Sequence, residues 1–267
     1  MSRLIASIPT STTPLALIFQ HETLYWSCIS TVEQRDGWVA FHNQRFLSRI
    51  DPNHAGEFRA RVGQSPAIVQ DIIEFYQALG AVPAAYVDLL TTPEDLLFHL
   101  RQANFQEWAG ALADLMFYLG PDVAPPTTVA VEVVETDTAK EAWASIVGNE
   151  DDLDAHAQAR LQDLYRTQIS DPRMLAYLIR VDGEPASRCQ LFSCQGLGRI
   201  EAVRTSTPYQ GQGLAAAVVR QALSDSLQEN RITYIYAEPG SKAQRLYHRL
   251  GFRTVAQKAI CGFLWHE

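Results

Sequence analysis

The 267-residue chain has only four cysteines, no long apolar run and no excess of basic residues, and each shortage removes a class of function. Cys28, Cys189, Cys194 and Cys261 show neither zinc-site spacing nor a redox pair, so reduced thiols are expected, with Cys189 and Cys194 in or near a strand. No stretch approaches the ~20 apolar residues of a membrane-spanning helix. The apolar segment Pro14–Phe19 lacks a basic leader and a small-residue cleavage site, so it reads as a strand rather than a signal peptide. The expectation is a cytoplasmic protein with no membrane partner. A formal net charge of −8 and the lack of a basic tract argue against nucleic-acid binding. An acidic surface suits a cationic amine substrate, and it suits solubility equally well. His42, His54 and His99 are too scattered for a metal site, so no metal is expected. No Gly-Lys-Ser/Thr follows any glycine turn, which excludes a Walker-type phosphate loop.

What the chain does contain is the segment Val203-Arg-Thr-Ser-Thr-Pro-Tyr-Gln-Gly-Gln-Gly-Leu-Ala215, which runs from an expected strand through a glycine turn into an expected helix. Gly211 and Gly213 allow the backbone close to a ligand, and the first amides of a helix lack intrahelical partners, so the turn is suited to phosphate. Read as Gly211-x-Gly213-x-x-Ala216, it fits a dinucleotide fingerprint, with Glu238 as the ribose-binding acid. Read as Gln210-x-x-Gly213-x-Ala215, it resembles the acetyl-CoA pyrophosphate loop of the GCN5-related N-acetyltransferase (GNAT) family. An unoccupied structural turn is a third reading. Position favours acetyl-CoA: a dinucleotide fold places its glycines directly after the first strand and needs several further βα units. Here Thr205 to Gln210 separate the strand from Gly211, and only about fifty residues follow.

The downstream residues strengthen the resemblance. Leu214, Val218, Val219, Leu223 and Leu227 recur at helical spacing, and that helix should end near Asn230. Ile232–Ala237 is β-branched and aromatic, as a buried strand should be. Glu238-Pro-Gly-Ser241 breaks it, with Ser241 as an N-cap, and a second helix over Lys242–Leu250 stops at Gly251, a left-handed cap, before Phe252 opens another strand. The string Ala243-x-x-Leu246-Tyr247-x-x-Leu250-Gly251-Phe252 resembles the second GNAT signature, and the two signatures stand in the family's order.

The resemblance implies roles. The strand from about Arg199 to Thr205 would splay from its neighbour, and Val203 and Thr205 would pair with the pantetheine arm. Amides of Gln210, Gly211, Gln212, Gly213, Leu214 and Ala215 would hold the pyrophosphate. Gln210 stands where the family more often has Arg, which implies a weaker cradle, and Pro208 falls one place later than usual. Tyr247 matches the family's general acid, and a phenol, whose ordinary pKa is near 10, can protonate a departing thiolate. Tyr247 also belongs to a packing stripe with Ala243, Leu246 and Leu250. Glu201 is the candidate base, because alternation along the strand would put it on the face of Val203. Its alternatives are a solvated strand residue or an orienting group for the substrate ammonium, and Glu238 and His248 are weaker candidates. His248 should face away from Tyr247 into solvent.

A turn-rich boundary at Gly120–Pro126 divides the chain into 1–125 and 126–267. The second part reads as a strand over Thr128–Val134, helices over Thr138–Val147 and Leu153–Ile169, and strands over Met174–Val181 and Ser187–Cys194, followed by the two signatures. Trp143 and Tyr165 are candidate acceptor contacts that fit core packing better. The first part offers strands at Leu15–Phe19, Tyr25–Ile29 and Trp38–Phe41, and helices at Pro66–Leu79 and Pro93–Ala103. Its stretch Leu97-x-x-Leu100-x-x-x-Asn104-Phe105 loosely resembles the Tyr247 helix running into Phe252. It is either a degenerate second copy of the fold without a phosphate loop or an unrelated α/β extension. The expected fold is therefore α/β (α+β): a mixed, mostly antiparallel twisted sheet flanked by helices, with a second, smaller N-terminal domain. The expected activity is acetyl-CoA-dependent N-acetylation of a small-molecule or peptide amine by direct attack, since no cysteine lies in the motifs to carry the acyl group. The alternative is a noncatalytic acyl-CoA-binding regulator. The oligomeric state, a homodimer included, stays open.

Overall fold

Two periodicities, near 3.6 and 2, alternate along the chain, and the computed structural model, which describes residues 14–108, 112–121, 129–147 and 153–267, turns them into helices and strands. Helix α1 (Pro14–Trp26) precedes strands β1 (Thr31–Gln34), β2 (Val39–His42) and β3 (His54–Gly56), then α2 (Ser65–Leu79), β4 (Ala84–Asp88), α3 (Leu96–Gln102) and β5 (Phe105–Glu107). After β6 (Ala113–Tyr118) and β7 (Glu132–Val133) come α4 (Asp137–Ser145) and α5 (Ala155–Gln168). The chain continues through β8 (Met174–Val181), β9 (Glu184–Cys194), β10 (Leu197–Thr205), α6 (Leu214–Glu229), β11 (Ile232–Ala237), α7 (Lys242–Arg249) and β12 (Phe252–Trp265). The fold is mixed α/β, with an open, mostly antiparallel sheet flanked by helices. Of the expected boundary at Gly120–Pro126, residues 122–126 lie outside the described residues, and so does the first residue of the expected strand Thr128–Val134.

The described residues fall into two compact units. One comprises Met116–Tyr236 and Lys242–Thr254; the other runs up to Leu115 and includes Ala237–Ser241 and Val255–Glu267.

In the first unit β7, β8, β9 and β10 pair antiparallel in sequence order, and β11 joins β10 in parallel. The β8–β9 turn is Asp182-Gly183, both at positive φ (52° and 87°), as a two-residue hairpin requires. Helix α6 packs across β8, β9 and β10, while α4 packs on β8 and β9 and holds α5. Val218, Val219 and Leu223 of α6 are fully buried, each contributing about 1.5–3 kcal/mol through removal of apolar surface from water. Two polar contacts fix the helix further: Tyr177 Oη donates to Asp225 Oδ2 at 2.8 Å, and Ser226 Oγ meets Thr233 Oγ1 at 2.8 Å. These fix the C-terminal part of α6 to β8 and β11.

In the second unit β1, β2 and β3 form an antiparallel meander, β3 touches β4 in parallel only at Ala55↔Ala85, and β12 pairs antiparallel with both β4 and β5. Trp38, Phe58, Ile72, Tyr76, Leu96, Leu100, Phe105 and Phe263 form its core. The strands expected at Leu15–Phe19 and Tyr25–Ile29 are not there, because helix α1 covers Pro14–Trp26. Ile18, Glu22 and Tyr25, spaced i, i+4 and i+7, are buried on one side of that helix. A short apolar run has no period by which helix and strand could be told apart, and the decisive burial lies beyond it. Helix α3 is followed by Asn104 at φ 66° and then buried Phe105, as α7 is followed by Gly251 at φ 103° and then buried Phe252.

Candidate functional site

Strand β10 pairs with β11 only over Leu197–Ile200, opposite Ile232–Ile235. On its other edge it follows β9 to Thr205, with an irregularity: Glu201 pairs with Gln190, and the next pair is Arg204 with Arg188. One extra residue therefore sits in β10, and Ala202 absorbs it with φ 54°. Such a bulge bends the strand and interrupts its alternation. The expectation that Glu201 and Val203 share a face by simple alternation fails here, because the bulge lies between them. Among the described residues the edge of β10 toward β11 has no strand partner beyond Ile200, so its backbone groups are open to an extended ligand. Val203 lies in that stretch and Thr205 closes it, held by Ser187, whose Oγ donates to Arg204 O at 3.0 Å and meets Thr205 Oγ1 at 2.8 Å.

After β10 a single 3₁₀ turn over Thr207–Tyr209, started by Pro208, leads to Gln210, whose Nε2 donates to Thr205 O at 3.2 Å. Gly211 and Gly213 follow at φ 79° and 80°, a backbone region costly for other residues. A Cβ at either would meet nothing within 4 Å, so it is backbone conformation, not packing, that calls for glycine. Gly213 is the N-cap of α6, no side chain caps the helix, and the first helical bond runs from Ala217 N to Gly213 O. The amides of the first turn, Leu214 and Ala215 included, are therefore left pointing out of the helix with the positive end of its dipole behind them. Gln210, Gly211, Gln212 and Gly213 are exposed around them. This arrangement can hold the phosphates of a nucleotide cofactor.

Tyr247 projects from α7 and is 5 % exposed, with its ring 6.1 Å from that of Phe252. Burial pushes its phenol well above the ordinary value, and the nearby Glu201 carboxylate and Cys189 add to the shift. It therefore stays protonated across the physiological range. Among the described residues no group hydrogen-bonds its hydroxyl. Leu250 of its stripe is also buried, whereas Ala243 is exposed, so the helix is less a packing face than the stripe implied. His248 is exposed, with Nδ1 3.2 Å from Phe252 O, and Glu238 is exposed in the second unit.

Glu201 is tied down. Its Oε2 accepts from Arg199 Nε at 3.1 Å and Nη2 at 2.7 Å, and its Oε1 accepts from Ala202 N at 3.2 Å. Arg199, only 5 % exposed, also lies 5.3 Å from the centroid of Tyr236. Arg199 does not stand out as a site residue from sequence alone, and the signal for it is opposite charge at i and i+2 of a strand, positions that share a face. Cys189 is fully buried, with Sγ 3.4 Å from Val218 O, and burial pushes its thiol well up, away from a nucleophilic thiolate.

Trp143 belongs to the core rather than to an acceptor surface. It is 0 % exposed, its Nε1 donates to Cys189 O at 3.0 Å, and the buried Arg188 guanidinium stacks 4.1 Å from its ring centroid and 4.3 Å from that of Tyr165. Replacement of Trp143 by Ala is expected to cost about 3–5 kcal/mol of unfolding free energy in chemical denaturation. An unchanged midpoint would contradict the packing role. Tyr165 is half-buried on the same cation.

Among the described residues no group of His, Cys, Asp or Glu is placed to hold a metal ion. No described helix is long and apolar enough to cross a membrane.

Residues 140–252 match the family model described as Acetyltransferase (GNAT) family. The fold is similar to that of a GCN5-related N-acetyltransferase from Kribbella flavida, at 17 % identity and TM-score 0.71, over 96 % of this chain and 97 % of that one. A GCN5-related N-acetyltransferase from Sphaerobacter thermophilus is similar at 16 % identity and TM-score 0.57, over 85 % of this chain and 76 % of the other. A tandem GNAT protein from the clavulanic acid biosynthesis pathway is similar at 10 % identity and TM-score 0.55, over 80 % and 76 %. No curated protein matches the chain. With a matched stretch that spans the bulged strand, the glycine loop and the Tyr247 helix, the chain carries over residues 140–252 a domain of the Acetyltransferase (GNAT) family.

Proposed function

We propose that this chain is an acetyl-CoA-dependent N-acetyltransferase in which a primary amine attacks the thioester directly in a ternary complex. The observation that carries the reading is the join between β10 and α6: a strand edge freed beyond Ile200, followed by glycines at positive φ and an uncapped helix N-terminus. An extended pantetheine arm with a pyrophosphate at one end needs both parts in that order. Amides from Gln210 to Ala215 would hold the pyrophosphate, and the backbone around Val203 and Thr205 would pair with the arm. The acidic surface suits a small-molecule or peptide amine. The noncatalytic alternative is disfavoured by Tyr247, a protonated phenol near Glu201 whose hydroxyl has no hydrogen-bond partner among the described residues.

In this reading three tasks divide among these residues. A backbone amide near Val203 would polarise the thioester carbonyl. Glu201, its orientation fixed by Arg199, would take the amine proton directly or through a water. Tyr247 would protonate the thiolate as the C–S bond breaks, leaving free CoA and the acetylated amine. Glu201→Gln is expected to lower kcat about 10–100-fold near neutral pH, with the loss shrinking at higher pH, where the amine is already neutral. A loss independent of pH would leave Glu201 without a part in removing the amine proton. Thiol release measured over amino acids, polyamines, aminoglycosides and peptide N-termini tests the activity itself. Acetyl-CoA binding without thiol release on any amine would favour the regulator.

We further propose that the unit containing α1–β5 is a second copy of the same fold without a phosphate loop. The shared pattern of helix, left-handed residue and buried phenylalanine at Phe105 and Phe252 supports it, together with the likeness to a tandem GNAT protein.

A further inference from the structure

A cavity of about 80 Å³ opens in the second unit, lined on one side by Thr23 and Trp26 of α1 and on the other by Glu57, directly after β3, and Tyr86 of β4. Its walls are aromatic. The His54 ring stacks on Phe41 with centroids 4.6 Å apart and meets Tyr86 at 4.5 Å and Trp26 at 5.0 Å, edge to face, while Trp26 stacks over Tyr86 at 6.1 Å. Two of its polar atoms are unsatisfied: among the described residues neither Glu57 Oε1 nor Thr23 Oγ1 has a hydrogen-bond partner, although both atoms are buried. A buried carboxylate oxygen without a donor costs a few kcal/mol, so it calls for an occupant. Glu57 is also held at φ 49°, a region that non-glycine residues rarely adopt.

We infer that this cavity is a binding site for a small primary ammonium group, taken by the Glu57 carboxylate and the Thr23 hydroxyl and covered by the faces of Trp26 and Tyr86. The chemistry selects the ligand. Two acceptors facing N–H donors favour an ammonium, aromatic faces attract a cation, and a quaternary ammonium would leave both oxygens unmet. The other charged groups around Glu57 are accounted for. Asp88 of β4 is bonded twice to Arg59, at 2.8 and 3.1 Å, and Glu22 of α1 is 6 % exposed and makes its own contacts. His54 is buried with Nδ1 2.9 Å from Asp51 O, and burial lowers its pKa to about 3, so it stays neutral and does not repel a cation. The cavity is smaller than the ~150 Å³ that admits benzene and larger than one water needs. It suits a two- or three-carbon ammonium or the amine end of a longer molecule. The site does not depend on the acetyl-transfer reading.

Burial, opposed by Arg59 and aided by Asp88 and Glu22, pushes the Glu57 carboxyl from 4.5 up to about 7. The folded protein therefore holds that proton more tightly than the unfolded chain, and stability falls as pH rises from 4.5 to 7, then levels. Glu57→Gln should remove that loss, so its melting temperature should gain on wild type as pH rises through this window. An ammonium bound to the ionised carboxylate should bind about tenfold more tightly at pH 8 than at pH 6.

The test is a titration of the full chain with ethylammonium chloride, followed by the Trp26 indole N–H resonance assigned with Trp26→Phe. Saturable 1:1 binding in roughly the millimolar range is expected, the limit for so few atoms. Glu57→Gln should weaken it at least about tenfold and Thr23→Val about three- to tenfold, with both variants folded by circular dichroism. Tetramethylammonium and 1-propanol should bind at least about tenfold more weakly. No saturation below about 100 mM, equal binding by Glu57→Gln, or equal binding of 1-propanol would each overturn the assignment.

Discussion

Replacing Tyr247 by phenylalanine is expected to lower kcat for CoA release by about 10²–10³-fold while leaving acetyl-CoA affinity within about threefold of wild type. The split follows from where the hydroxyl sits. The ring packs against Phe252 in a nearly closed environment, and phenylalanine fills the same space, so folding and the cofactor loop should be undisturbed. The hydroxyl itself makes no hydrogen bond to a described residue, so its loss leaves no protein group unsatisfied. What disappears is a proton donor whose phenol stays neutral because burial and Glu201 hold its pKa up. Thiol release under saturating substrate reads the effect. An unchanged rate would return Tyr247 to packing alone and leave the thiolate to be protonated by water.

Substitution at Gly213 should act on the other half of the reaction. At φ 80° the residue caps α6 in the left-handed region, where a β-branched side chain is strongly disfavoured. Gly213→Val should weaken acetyl-CoA binding at least about 30-fold, by turning the first-turn amides away from the pyrophosphate and by placing a side chain on the exposed loop beside them. The added Cβ meets nothing of the protein within 4 Å, so the loss of folding stability should stay within about 1–3 kcal/mol. The discriminating comparison is affinity by calorimetry beside stability by denaturation. A large stability loss with unchanged affinity would make the turn structural.

The legible parts of the fold are those with several agreeing signals. Met174–Val181, Ile232–Ala237 and the helix from Leu214 were readable because period, composition and flanking Gly, Pro or Asn agreed. Strands β1, β3 and β5, of three or four residues, carry too little pattern to stand out, and their pairing is decided by neighbours remote in sequence. Helix α1 reads as a strand from sequence because Pro14–Phe19 is an unbroken apolar run, and its helical burial appears only with Glu22 and Tyr25. At the site, the glycine turn was readable because positive φ leaves a mark on residue type. The bulge at Ala202 left none, since a non-glycine residue adopts φ 54° there under the hold of β9. The Glu57 cavity was also unreadable, because Thr23, Glu57 and Tyr86 converge only in the folded unit.

In the proposed reaction the loop after Val203 holds acetyl-CoA. Calorimetric titration of the chain with acetyl-CoA and, separately, with NAD tests it most directly, with Gly213→Val as the control. Saturable 1:1 binding of acetyl-CoA that is lost with Gly213→Val, and no binding of NAD, is the expected result. Binding of NAD without acetyl-CoA, or acetyl-CoA binding that Gly213→Val leaves unchanged, would contradict it.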